Sequence, residues 1–388
     1  MVIVMQKEIR LEPWEMLPPD SEKWFALLEK ASYPVLEEDE TPETGKFYRL
    51  YPDGCFGGNR TRYHGSLRIG KHPEKLVVFF NGGGVMYDEY SAARPGNWFT
   101  THFKETYYFN DPEWMGDIAA REGICSSRED NPFAEWSMIQ LPYSSGDFHC
   151  GNGWYPYHAL DGTPRLMGCH GYKNALAVID MAKKWIGTPK KLLIAGVSAG
   201  GFGAALLADD VIGKFPGCED ITVAVDSSLL IREDWQRIAR EVWHSPEHIW
   251  KRLTGDNITL DSLTALYGKY GESIRYLFIS SVRDALLVEA QNGLDGKKLT
   301  FDKAAGIRYR ETLKKMCADM EERIPKCGFY IFEGPMDQQG FDDAELTKHC
   351  VLDCAWMFDH REDGMTPCQW LTDAVNGMVM RVGMEYLK

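Results

Sequence analysis

Gly196-Val197-Ser198-Ala199-Gly200 is the stretch of this sequence best equipped for covalent chemistry. The apolar run Leu192-Leu193-Ile194-Ala195 precedes it. Gly201-Phe202-Gly203 and then Ala204-Ala205-Leu206-Leu207-Ala208 follow it and read as a helix. A serine between glycines, at a turn from strand to helix, is the context of an activated nucleophile. The turn leaves no room for a Cβ at its flanks and aims the first N–H groups of the helix at whatever Ser198 attacks.

A serine hydroxyl is un-ionised near neutral pH and needs a base, usually a histidine held in one tautomer by a carboxylate. In sheets that carry such a turn, the acid and then the histidine follow the serine on loops after later strands. Four histidines follow Ser198: His244, His248, His349 and His360. The first two precede the acid candidate Asp284. His349 lies past the last strand, as the order requires, and is the expected base. His360 is read as the C-terminal charge of a helix that His349 begins. Asp284 and Asp226 both follow strands. The later position favours Asp284 as the acid, and Asp226 can be read as a helix N-cap.

The elements that must position these groups alternate strand and helix. Phe47–Tyr51 and Ser66–Ile69 alternate like antiparallel strands. Leu76–Phe80, Trp136–Leu141, Leu192–Ala195, Ile221–Val225, Tyr276–Ser280 and Phe329–Phe332 are strand-length apolar runs, the pattern of a parallel sheet covered on both faces. Helical spacing recurs over Gly171–Ile186 and over 302–324, where Ile307, Leu313, Met316, Cys317, Met320 and Ile324 share one face. The expected fold is α/β, a mostly parallel, doubly wound sheet. Residues 1–45 read as a peripheral lead-in with a short helix over Ser21–Leu28, and 46–388 as one domain. Insertions are expected at about 85–135 and 229–270, the latter a possible cap carrying Trp235, Trp243 and Trp250.

Leu76–Phe80 runs straight into Asn81-Gly82-Gly83-Gly84. Glycines at a strand end present free N–H groups. Gly83 or Gly84 would supply one oxyanion donor and Ala199 the other. The 85–135 stretch is rich in rings, including Tyr87, Tyr90, Trp98, Phe99, Phe103, Tyr107, Tyr108, Phe109 and Trp114, which suit either a pocket wall or a satellite core. Trp136–Leu141 ends in Pro142-Tyr143-Ser144-Ser145-Gly146-Asp147-Phe148-His149, polar and glycine-punctuated, where ligands bind in open α/β sheets. Tyr87, Asp147 and His149 are the candidate substrate contacts.

The 388 residues carry a net charge of −14, which disfavours nucleic acid and anionic membrane surfaces as partners. The first residues lack a signal-peptide pattern and no run approaches a membrane span, so the ten cysteines are expected as free thiols and the location as cytoplasmic. Cys350, Cys354, His349 and His360 lie close in sequence. No Cys-x-x-Cys or His-Glu-x-x-His occurs, and neither metal nor cofactor is expected.

In order, Val78–Gly84, Pro142–His149, Gly171-Tyr172-Lys173-Asn174, Gly196–Gly201, Asp284, His349 and Gln369-Trp370-Leu371 resemble the pectin acetylesterase family, which includes the Notum carboxylesterases. The resemblance runs from about residue 45 to the end. It implies an α/β-hydrolase fold, hydrolysis of O-acyl esters, commonly acetyl groups on saccharides, a triad of Ser198, Asp284 and His349, and an oxyanion hole of Gly83, Gly84 and Ala199. Val85-Met86-Tyr87 replace the family's tryptophan or Ala-Cys-Trp, and Ser144 replaces a cysteine. With no export signal, these departures argue against extracellular pectin. The expected partner is a small-molecule or oligosaccharide acyl ester. The same triad also serves acyltransferases and other acyl hydrolases, and a hydrolase scaffold can be a non-catalytic binding protein. The sequence does not fix the oligomeric state.

Overall fold

Apolar runs that alternate between two hydrophobic clusters form the centre of the molecule. The computed structural model describes residues 32–96, 105–113, 116–117, 121–296, 298–336 and 340–388, with the backbone of a short antiparallel pair at Val2–Val4 and Lys7–Ile9. The helix expected over Ser21–Leu28, and Trp98, Phe99, Phe103 and Trp114, lie outside these residues. Leu76, Val78 and Phe80 enter the core on one side of the sheet, Val77 and Phe79 on the other. Leu192 and Ile194 alternate in the same way with Leu193, Ala195 and Val197. With period-2 side chains and both faces covered, a strand is apolar throughout.

The strands in chain order are β1 (Phe47–Leu50), β2 (Gly65–Arg68), β3 (His72–Phe80), β4 (Trp136–Leu141), β5 (Gly153–His158), β6 (Pro164–Cys169), β7 (Lys191–Val197), β8 (Asp220–Asp226), β9 (Ile274–Ser281), β10 (Gly328–Phe332) and β11 (Arg381–Val382). Nine of them form one sheet in the order β11-β10-β9-β8-β7-β3-β4-β2-β1. From β11 to β4 the strands are parallel, and β2 and β1 add an antiparallel edge. The helices are α1 (Gly171–Ala182), α2 (Ala199–Lys214), α3 (Ile258–Tyr270), α4 (Ala285–Leu294), α5 (Lys303–Arg323), α6 (Trp356–Asp359) and α7 (Pro367–Val375).

The topology fixes where chemistry can occur. From β3 the chain moves outward to β4, then crosses back through α1 to β7 on the other side of β3, and proceeds to β8. Connections therefore leave β3 and β7 in opposite directions, which opens a crevice at their C-terminal ends. The Gly82–Gly84 loop and Ser198 sit at that crevice.

Some elements differ from expectation. The 229–270 stretch divides: α3 is the crossover helix between β8 and β9 and packs on α2, whereas the short helical turns at Trp235–Val242 and Glu247–Trp250 add to the same core, with Trp235 and Trp243 packed on Phe148. No continuous helix runs from His349 to His360. Cys350 has φ +59 and turns the chain, α6 begins at Trp356, and His360 stacks on Trp356 and meets Glu362 Oε1 at 2.8 Å. Ile307 faces solvent rather than the apolar face of α5. The β5–β6 hairpin is an element that hydrophobic periodicity did not signal. All ten cysteines are free thiols, nine of them buried.

Candidate active site

Ser198 links β7 to α2 with φ +54 and ψ −127. A residue with a side chain adopts that backbone only under strain, at a cost of about 1–3 kcal/mol. The neighbours show what enforces it. A Cβ on Gly196 would lie 2.1 Å from the carbonyl oxygen of Gly200, and one on Gly200 would lie 2.0 Å from that of Phe80. Both contacts are with backbone, so the turn closes only without those carbons. Gly82 approaches equally closely: its Cβ would fall 2.6 Å from Ser198 Cβ. Ser198 N–H donates to the Asp226 carbonyl at 2.8 Å, which ties the turn to β8.

Asp284 and His349 come together on two loops that pair with each other. Thr347 N–H donates to the Arg283 carbonyl at 2.9 Å, Ala285 N–H donates to the Thr347 carbonyl at 3.0 Å, and Thr347 Oγ1 accepts from Arg283 N–H at 2.9 Å. This clamp brings His349 Nδ1 to 2.8 and 2.9 Å from the two Asp284 oxygens. With Nδ1–H donating to the carboxylate, Nε2 is left as the basic nitrogen. Burial pulls the imidazole pKa down. The charge and hydrogen bond of Asp284, joined by the charges of Asp226 and Asp353, outweigh that and hold it above the ordinary histidine value.

The two acid candidates divide their tasks differently from the sequence reading. Asp284 is itself a helix N-cap, accepting from Leu287 N–H at 3.0 Å at the start of α4. Asp226 caps no helix. Its Oδ2 accepts from Val351 and Leu352 N–H at 2.8 and 2.9 Å, and its Oδ1 from Ser227 Oγ at 3.0 Å. Ser227 Oγ in turn accepts from Cys350 N–H at 3.1 Å. The expected N-cap role of Asp226 is therefore corrected: it anchors the segment that follows His349. Burial pushes its carboxyl up to about 7.

Ser198, His349, Gly83, Gly84 and Ala199 line one cavity of about 180 Å³. Ala199 N–H belongs to the first helical residue, which has no intrahelical acceptor. Gly84 has φ +79, and a Cβ there would meet the Tyr107 carbonyl oxygen at 2.1 Å. Among the described residues, no acceptor pairs with the N–H groups of Gly83, Gly84 or Ala199. Tyr107, Tyr108 and Phe109 form one wall, so this part of the aromatic stretch borders the cavity, although Tyr107 and Tyr108 also belong to the core. Phe148, Phe202, Leu230, Leu286, Leu287 and Glu289 also line it, and sequence reasoning singled out none of the six for the site.

Tyr87, Asp147 and His149 do not border the cavity, and their expected contact with substrate is corrected by their bonding. His149 is buried, and its ring Nε2–H donates to the Asn81 carbonyl at 2.8 Å. Burial lowers its pKa to about 4, so it is neutral. Asp147 is buried and accepts from Ser145 Oγ at 2.7 Å and from Gly171 N–H at 2.9 Å, which joins the loop to α1. Tyr143 hydroxyl donates to the Gly84 carbonyl at 2.9 Å, and Gln140 Nε2 donates to Asn81 Oδ1 at 2.8 Å. The 142–149 segment thus braces the glycine loop from behind, and Phe148 is its one residue on the cavity. Tyr87 hydroxyl donates to the Gly293 carbonyl at 2.9 Å, tying its segment to the end of α4.

Among the described residues no cluster of three or more His, Cys, Asp or Glu side chains could hold a metal ion, and no helix is long and apolar enough to cross a membrane.

A family model described as pectinacetylesterase matches residues 53–251. That span contains the glycine loop, its brace and the Ser198 turn. The fold is similar to that of the Wnt deacylase Notum from Drosophila, with a TM-score of 0.56 at 17% identity over 86% of this chain and 96% of that one. No curated protein matches the chain. The chain belongs to the pectinacetylesterase family and is a carboxylesterase-type hydrolase.

Proposed function

We propose that the protein is a serine esterase that removes short O-acyl groups, chiefly acetyl, from a saccharide or another small polyol through an acyl-enzyme on Ser198. The carrying observation is that a strained Ser198 shares one cavity with a His349 whose Nδ1 is held by Asp284. In this reading His349 Nε2 takes the Ser198 proton as Oγ attacks the ester carbonyl. The oxyanion is held by N–H groups of Gly83 or Gly84 and Ala199, donors worth about 10²–10³ each in kcat. The tetrahedral intermediate collapses, His349 returns the proton to the departing alcohol, and the acyl group stays on Oγ. Water, deprotonated by His349, then releases the acid and restores Ser198. Asp284 orients the imidazole and stabilises the imidazolium that forms twice in each cycle.

Cavity size supports the short acyl group. About 180 Å³ falls below the roughly 300–1,000 Å³ of sites that enclose drug-sized ligands. Hydrolysis of p-nitrophenyl esters from acetate to decanoate tests this. A kcat/KM for acetate above that for decanoate by about tenfold or more is expected, since single methylenes already change selectivity by that order. A preference for decanoate would overturn it.

A further inference from the structure

Among the residues that line the cavity, Glu289 carries the one carboxyl; beside the catalytic groups, Thr106, Tyr107 and Tyr108 bring hydroxyls and the other side chains are apolar. Glu289 sits on α4, the helix that Asp284 caps, with Leu286, Leu287 and Ala290 beside it on the cavity wall. Its distance from the triad is therefore set by a rigid element. No hydrogen bond or ion pair joins Glu289 to another described residue, and it is half-buried. Burial raises its pKa, and no neighbouring charge contributes. A half-buried carboxylate keeps part of its water, a bound ligand displaces that water, and a ligand group that donates to the carboxylate offsets the loss.

We propose that Glu289 is the specificity-determining residue of this site: its carboxylate accepts a hydrogen bond from a hydroxyl on the alcohol moiety of the substrate. This inference rests on the esterase reading above and names what it selects. A polyol or saccharide ester supplies a donor to Glu289. An ester of a plain alkyl alcohol enters the same cavity, displaces water from the carboxylate and offers it no donor. The penalty then falls on the wrong substrate, which is how a site built for a hydroxyl discriminates.

The test is a selectivity ratio, measured on wild type, Glu289→Gln and Glu289→Leu with two matched esters, glycerol monoacetate and n-propyl acetate. Each preparation is first titrated with a fluorophosphonate, so that rates refer to reactive serine. Loss of a hydrogen bond to a charged group corresponds to about tenfold or more in rate. The wild-type kcat/KM ratio should favour glycerol monoacetate, Glu289→Leu should lower that ratio by about tenfold, and Glu289→Gln, which keeps an acceptor, should fall between. Acetylcholine, a cation with no hydroxyl donor, separates charge from hydrogen bonding. It should lack the advantage of the glycerol ester. A ratio within about twofold of wild type in both variants would overturn the proposal, as would a larger effect on acetylcholine than on the glycerol ester. Failure of the esterase reading itself would look different: wild type would take up no fluorophosphonate.

Discussion

Asp226 offers a sharp test of how the site is held, because its carboxyl is fully buried and serves a loop rather than the substrate. Burial moves it from 3.8 to about 7. That difference corresponds to about 4 kcal/mol between the protonation states. The folded protein holds this proton to higher pH than the unfolded chain does. Its contribution is therefore fully present below about pH 4 and is lost as pH rises through about 7. Asparagine matches the neutral form: its carbonyl can accept from Val351 and Leu352, and its amide can donate to Ser227 Oγ. Asp226→Asn should thus remove a pH dependence without removing the anchor. Urea unfolding followed by tryptophan fluorescence at about pH 5 and about pH 8 measures this. The stability of Asp226→Asn relative to wild type should rise by about 3 kcal/mol between the two. Asp226→Ala should instead lose stability at both, because it orphans two buried N–H groups at about 1–3 kcal/mol each. Parallel pH curves for wild type and Asp226→Asn would refute the reasoning.

Other consequences are equally direct. Asp284→Asn keeps an acceptor for the α4 cap but holds His349 in the wrong tautomer, so kcat should fall by about 10⁴ with little change in melting temperature; retention of a tenth of wild-type activity would contradict it. The acid limb of kcat/KM should lie above about pH 6.5, since only neutral His349 can accept the Ser198 proton and its pKa is raised. A limb below about 6 would mean that Asp284 and its neighbours do not outweigh burial. Gly200→Ala drives a Cβ into the Phe80 carbonyl and should cost about 3 kcal/mol or prevent folding, whereas Gly213→Ala, in open space on the same helix, should stabilise by up to about 1 kcal/mol; thermal melts of the pair check the contrast.

The parts of the fold legible in the sequence are those set by local physics. β3, β4, β7, β8, β9 and β10 read as strands because both their faces are buried and every residue can be apolar. That Ser198, Asp284 and His349 lie close together is legible because a doubly wound sheet delivers its loops to one edge in a fixed order. What escaped depended on long-range partners. Both Asp226 and Asp284 end strands, and only the tertiary structure shows which of them caps a helix and which holds the chain after His349. Asp147 and His149 lie where ligands bind in such sheets, yet their polar atoms turn inward to brace the glycine loop. A helix from His349 to His360 fits the residue types, but the positive φ of Cys350 breaks it, and no local signal announces that. In the β5–β6 hairpin Tyr155 and Tyr157 turn inward while Trp154 and Leu166 are largely exposed, so large apolar residues fall on both faces and mask the alternation that marks a strand. Glu289 falls on the cavity only through the phase of α4, which the sequence does not relate to the position of Ser198.

The central claim is that Ser198 is an activated nucleophile. Intact mass after fluorophosphonate treatment, for wild type beside Ser198→Ala, tests it most directly. The predicted result is one adduct on wild type, none on Ser198→Ala, and an adduct on Asp284→Asn that forms more slowly than on wild type. A folded wild type that takes up no reagent, or a variant labelled as readily as wild type, would contradict it.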